Sequence, residues 1–175
     1  MLCFTNKITH TTSAVVLYNG NFTMDGNITN CTSEHGGGVC VMYGEFIMED
    51  GNITDCSADY SGDGVMVYLD GTMTMSGGYV NSVYVSGKLN LKNTPVIEEL
   101  YLESDDSIKV IDEISSPAEI YITNPVSVGK FGNILADSDL DCFIAENREA
   151  VKSDSELRWV QTYNITVSTE GITAS

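Results

Sequence analysis

A stretch of this chain is written twice, and that constrains its fold more than any other feature. Gly20-Asn21-Phe22-Thr23-Met24-Asp25-Gly26-Asn27-Ile28-Thr29-Asn30-Cys31-Thr32-Ser33 returns as Gly44-Glu45-Phe46-Ile47-Met48-Glu49-Asp50-Gly51-Asn52-Ile53-Thr54-Asp55-Cys56-Ser57, with one residue inserted. A looser third copy is Gly71-Thr72-Met73-Thr74-Met75-Ser76-Gly77-Gly78-Tyr79-Val80. Self-similarity at such a period means one small unit stacked on itself, because a single unit cannot bury its own apolar face.

Apolar residues alternate with others in short stretches that fall into three columns. The first is Val15-x-Leu17, Val39-x-Val41, Val65-x-Val67, Val83-x-Val85, Leu100-x-Leu102 and Ile120-x-Ile122. The second is Phe22-x-Met24, Phe46-x-Met48, Met73-x-Met75, Leu89-x-Leu91, Ile108-x-Val110 and Val126-x-Val128. The third carries Ile28, Ile53, Val80, Ile97 and Ile114. Steps along the first column are 24, 26, 18, 17 and 20 residues. Leu2, Phe4 and Ile8 fit the same frame, so the chain is expected to open at the second strand of a repeat, as a piece of a longer protein would.

An odd number of strands per copy argues against stacked hairpins, and no Leu-x-x-Leu-x-Leu pattern supports a leucine-rich repeat. A solenoid of parallel strands remains, each strand pairing with its equivalent one repeat on at roughly 4.8 Å. Each buried Val, Ile, Leu or Phe then contributes about 1.5–3 kcal/mol. Thirteen of the 16 glycines lie between Gly20 and Gly87, at the expected corners, where tight turns call for backbone angles that Gly adopts at little cost.

The run Gly36-Gly37-Gly38-Val39-Cys40-Val41-Met42-Tyr43-Gly44-Glu45-Phe46-Ile47-Met48, followed by Gly51-Asn52-Ile53-Thr54-Asp55-Cys56-Ser57-Ala58, resembles the repeats of right-handed parallel β-helix proteins. These share the pectin-lyase-like superfold and occur in adhesin-like surface proteins of bacteria. The resemblance spans residues 2–128 and implies an all-β, right-handed parallel β-helix of about six or seven coils. We place the repeat region at 1–130, with a less regular segment at 131–175 that holds degenerate coils and the end of the array. The fold hosts both enzymes and passive stalks, so it does not decide activity.

Composition narrows the partners. Eight Lys and Arg stand against 25 Asp and Glu, a net charge of −17, which repels phosphate backbones and disfavours nucleic acid. No apolar run reaches the length of a membrane span, and Met1–His10 lacks the basic and apolar regions of a signal peptide. The five cysteines (Cys3, Cys31, Cys40, Cys56 and Cys142) show no zinc spacing. Cys31 and Cys56 share a phase and are expected to stack as free thiols, since parallel neighbours rarely meet disulfide geometry.

No catalytic residue is expected. Pectin-lyase-like enzymes imply carboxylate clusters with a basic partner, and Gly-His-Gly and Arg-Ile-Lys are missing here. Asp105-Asp106 reads as a solvated turn, and His10 and His35 sit in variable corners. Asp137-x-Asp139-x-Asp141 has the look of a calcium loop, but Cys142 and Arg148 occupy the EF-hand Gly and Glu positions. A non-EF calcium site at Asp137, Asp139 and Asp141 is the only cofactor alternative to a plain acidic loop. Five Asn-x-Thr sequons, at Asn21, Asn27, Asn30, Asn52 and Asn164, would be glycan sites in a eukaryotic secretory pathway and bare in a bacterium; Asn27 and Asn52, which recur with the repeat, read as turn chemistry and stacked Asn side chains. Parity puts Tyr84, Tyr101 and Tyr121 on the outside of the first column, continuing Cys40 and Met66 as an exposed ladder. That ladder is the weak ligand-binding candidate.

The expected role is therefore a non-catalytic segment of a bacterial cell-surface or secreted adhesin-like protein. Its partners would be further coils of the parent protein and a carbohydrate or host-surface ligand. The alternatives are a carbohydrate-binding module built on the Tyr ladder, and a polysaccharide lyase or hydrolase.

Overall fold

The computed structural model describes residues 2–4, 8–9, 15–104, 107–124, 129–134, 140–145, 148–153, 156–161, 165–168 and 171–174. Side chains of residues 2–4 and 8–9, and of several C-terminal strand residues, lie outside that description.

Strands come in chain order as follows. The first part holds β1 (Leu2–Phe4), β2 (Ile8–Thr9), β3 (Val15–Leu17), β4 (Asn21–Thr29), β5 (Thr32–His35), β6 (Val39–Val41), β7 (Glu45–Thr54), β8 (Ser57–Ser61) and β9 (Val65–Val67). Next come β10 (Thr72–Met75), β11 (Tyr79–Val85), β12 (Lys88–Asn93), β13 (Val96–Leu102), β14 (Ile108–Ile114), β15 (Glu119–Ile122), β16 (Gly129–Ile134) and β17 (Phe143–Ile144). The last are β18 (Arg148–Ser153), β19 (Glu156–Gln161), β20 (Ile165–Ser168) and β21 (Gly171–Ala174). A single 3-10 turn, Leu140–Cys142, precedes β17, and no α-helix occurs among the described residues.

The molecule is all-β, and most of it is one many-stranded, largely parallel sheet. Strands pair with their equivalents one repeat away, in three ladders. In the longest, β1, β4, β7, β10, β12, β14 and β16 follow one another in parallel. Phe22 pairs with Phe46, Phe46 with Met73, Met73 with Leu89 and Leu89 with Ile108, all of them buried. The Phe22 and Phe46 rings stack at 5.4 Å and 14°. A second ladder aligns Val39, Val65, Val83 and Leu100, each no more than 1% exposed. A third aligns Ile28, Ile53, Val80, Ile97 and Ile120. The inward alternation read from the sequence thus holds in all three.

Several expectations need correction. The third column continues to Ile120, not Ile114; Ile114 is buried at the end of β14, opposite Asn93. Ile120 therefore leaves the first column, where Leu100 pairs with Ile122 across a register shift. The second column ends on Gly132-Asn133-Ile134 rather than on Val126-x-Val128, which lies outside the described residues. The strand that ends it, β16, straddles the 130/131 boundary.

The glycine corners have two causes: Gly36 and Gly62, with φ 60° and 70°, adopt the angles expected of them, but most of the corners between the first and second columns do not. Among Gly20, Gly44, Gly71 and Gly87, only Gly20 has a positive φ, of 86°. A Cβ on Gly44 would collide with the Gly20 carbonyl oxygen, and one on Gly87 with that of Gly71. What Gly44, Gly71 and Gly87 need is the close approach of stacked backbones, while Gly20, with open space around it, needs only its angle. Gly51 is constrained in both ways, with φ 95° and the Gly26 backbone against its missing Cβ.

The long repeats differ from the short ones by an arm. Between the third and second ladders the chain leaves the body to form β5 and β8, which pair only with each other, in parallel. In later repeats β11 and β13 run straight from one ladder to the next. This excursion accounts for the shortening of the period. At the far end, β19 pairs antiparallel with the outer edge of β16 and with β18, so a hairpin covers the edge that another parallel strand would take. The β20–β21 hairpin forms a separate two-stranded sheet.

Candidate functional site

The site is built where the arm meets the outward face of the ladder carrying Val39, Val65, Val83 and Leu100. Outward positions there pair in the order Val16, Cys40, Met66, Tyr84, Tyr101. Cys40 and Met66 were expected on the surface, yet they are only 5% and 6% exposed. They line, with arm residues His35 and Ser61, a cavity of about 320 Å³, and the Ser61 hydroxyl reaches the Met66 sulfur at 3.8 Å. Where the arm stops, the column opens, and Tyr101 is 45% exposed.

Tyr84 and Tyr101 stack at 5.1 Å and 9°. Tyr121 does not join them. The register shift between Ile97 and Leu100 pairs Leu100 with Ile122, and Tyr121 instead pairs with Ile144 on β17. The expected three-ring ladder is thus a pair, and its ring faces largely cover one another. Tyr101 stays exposed and lines a cleft together with Thr123.

One cleft adjoins this pair, and a second shares Glu99 and Thr123 with it. One, about 360 Å³, is lined by Tyr60, Ser61 and Gly62 of the arm and by Ser82, Tyr84, Glu99 and Tyr101 of the body. The other, about 660 Å³, gathers Tyr79, Glu98, Glu99, Glu119 and Tyr121. The Tyr79 hydroxyl donates to the Glu98 carboxylate, and this bond, with some burial, pushes the phenol up to about 12. Burial, seconded by the charge of Glu103, raises Tyr84 as well. These tyrosines are therefore protonated donors at neutral pH, beside carboxylate acceptors. No Lys or Arg lines any of the three spaces.

Other candidates fall as follows. His35 lies on the arm and stacks on Tyr60 at 5.0 Å. Asp141 is exposed in the 3-10 turn, while Asp137, Asp139, Asp105, Asp106 and His10 lie outside the described residues. Among the described residues, no three His, Cys, Asp or Glu groups come together as a metal site. Cys31, Cys40 and Cys56 are buried free thiols, and Cys142 is buried as well. Burial raises Cys40 and, more strongly, lifts Cys56 to about 11, so neither is an activated nucleophile. The Asn27 side-chain oxygen accepts from the backbone and side-chain amides of Asn52, both at 2.9 Å, which is the expected Asn stack.

Sequence reading missed Tyr60, Tyr79, Glu98 and Glu99. The signal was spacing: 11 and 12 residues separate Ile28 from Val39 and Ile53 from Val65, but three separate Val80 from Val83. An excursion that ends abruptly leaves a step, and the step is the cleft. No family model matches this chain, and no curated protein or solved structure matches it either.

Proposed function

We propose that the ladders wind as a right-handed parallel β-helix of about six or seven coils and that the chain works without catalysis. In this reading it is a segment of a bacterial cell-surface or secreted adhesin-like protein, serving as stalk or interaction surface. One observation carries the proposal: equivalent residues of successive repeats pair in register, strand after strand, along the Phe22, Phe46, Met73, Leu89, Ile108 row. Such an array is a stiff rod, stable through nearest neighbours, and its acidic exterior discourages lateral clumping. No helix among the described residues is long and apolar enough to cross a membrane, so attachment would come from elsewhere. Labelling intact producing cells with a membrane-impermeant amine reagent tests the location. Modification before lysis is expected; modification only after lysis overturns the surface assignment.

A second reading, a carbohydrate-binding module, is favoured by the exposure of Tyr101. A glycan array with wild type and Tyr101→Ala tests it. Binding by the wild type that the variant loses would support it. A polysaccharide lyase or hydrolase is the remaining alternative. It needs a cation beside its carboxylates, whereas the clefts hold carboxylates alone. Release of reducing ends from pectins would establish it.

A further inference from the structure

The arm is a two-stranded parallel sheet whose two outer edges have no partner strand among the described residues. Its second strand, β8, pairs with β5 and with no other described strand. In a parallel strand, successive residues send their amide and carbonyl groups to opposite edges. Ser57 donates toward the arm's first strand, to the Cys31 carbonyl at 2.9 Å. Ala58 therefore presents its backbone groups to the other edge, and beyond it the register with β5 shifts, Ser33 pairing with Ala58 but His35 with Ser61. There the Asp63 carboxylate accepts the Ala58 amide at 2.8 Å, a side-chain stopper of the kind that guards exposed edges.

Beyond this edge lies the 360 Å³ cleft, in the place a third arm strand would take if the next repeat had one. Its floor is the continuation of the floor beneath the existing arm, which lies over Cys40 and Met66. That covered part is buried; the next part, Tyr84 and Tyr101, is aromatic and partly open. The surroundings are anionic: Glu99 lines this cleft, Glu103 the cavity beside it, and Glu98 and Glu119 the cleft beyond, with no lining Lys or Arg.

We propose that the outer edge of β8 and the Tyr84–Tyr101 floor take up an extended basic segment of another protein as a third arm strand. Main-chain bonds starting at the Ala58 amide would supply the pairing, with Asp63 displaced. Lys or Arg side chains at alternate positions would meet Glu99 and Glu103, and apolar ones the tyrosine rings. Tyrosine faces also attract such cations directly. The inference goes beyond the stalk reading and does not depend on where the protein resides.

The test is fluorescence anisotropy with a blocked seven-residue peptide alternating Lys and Val, at low and high salt. Saturable binding is expected, weakened at least tenfold in an otherwise identical peptide with Glu for Lys. Methylating the amides on one edge of the peptide should abolish binding; methylating the other edge should leave it. Asp63→Ala, which frees the Ala58 amide, should tighten binding several-fold, and Glu99→Gln should weaken it several-fold. Three results would each overturn the proposal. One is no binding by any of these peptides to a variant or wild type that gives the wild-type circular dichroism spectrum. Another is binding indifferent to either methylation pattern. The third is self-association in sedimentation that blocks the peptide, which would assign the edge to a second copy. The surface-labelling experiment above is unaffected by any of them.

Discussion

The repeats that carry the arm and those that lack it share one interior but differ outside. The steps from Val15 to Val39 and from Val39 to Val65 take 24 and 26 residues, against 18 and 17 for the next two, yet Phe22, Phe46, Met73 and Leu89 still pair in register. The excursion costs the core nothing because it leaves and returns between two ladders, at the glycine-rich corners Gly36-Gly37-Gly38 and Gly62-Asp63-Gly64. Outside, it changes everything: the same outward column is sealed over Cys40 and Met66 and open at Tyr101. Interior stacking and exterior function are thus specified by different residues of the same repeat.

The sharpest way to break this comparison is to disturb the backbone approach both regions depend on. Gly51→Val places a β-branched side chain at φ 95° against the Gly26 backbone. It should cost about 4 kcal/mol or more, or prevent folding, by denaturant titration. Next, Phe46→Ala in an armed repeat and Leu89→Ala in an armless one occupy the same fully buried row. Both should cost on the order of 2–5 kcal/mol. A near-neutral result for either would mean that the two regions do not share one core.

Smaller effects sharpen the exterior half. Gly62 has φ 70°, and a Cβ there would meet the Val65 carbonyl oxygen at 2.6 Å. Gly62→Val should loosen the arm and speed the reaction of Cys40 with a thiol reagent, leaving Cys56 slow. Unchanged Cys40 reactivity would show that something other than the arm seals it. The Cys56 thiol, held at about 11 by burial against an ordinary 9.0, keeps its proton longer in the folded chain than in the unfolded one. Stability owed to this group is whole below pH 9 and declines as the pH rises toward 11, which Cys56→Ala should flatten. The least effect is expected at the C-terminal hairpin. The exposed Arg158–Glu156 pair, at 2.7 Å, should be worth less than about 0.5 kcal/mol in an Arg158→Ala titration.

Much of the fold was legible because a stacked array forces local and long-range pattern to agree. Phe22, Phe46 and Met73 occupy the same place in the written repeat and in the sheet. Legibility failed where the register shifted. Two residues separate Ile120 from Ile122 where three separate Ile97 from Leu100, so one missing residue moved Tyr121 out of line. Nothing in the local alternation Ile120-x-Ile122 distinguishes a first-column strand from one that begins in the third. The cleft was hidden for a related reason. Tyr60 and Glu99 are 39 positions apart and meet only because one arm strand has no successor.

By itself the sequence determined the unit, its period, its inward-facing residues and the parallel stacking of like on like, because burial of a repeated apolar face has one economical solution. The tertiary structure decided which outward residues see solvent, where the tyrosine pair ends, and that an antiparallel hairpin covers the last edge. Those outcomes depend on what lies one repeat above and below, and a chain's own alternation carries no record of its neighbour's length.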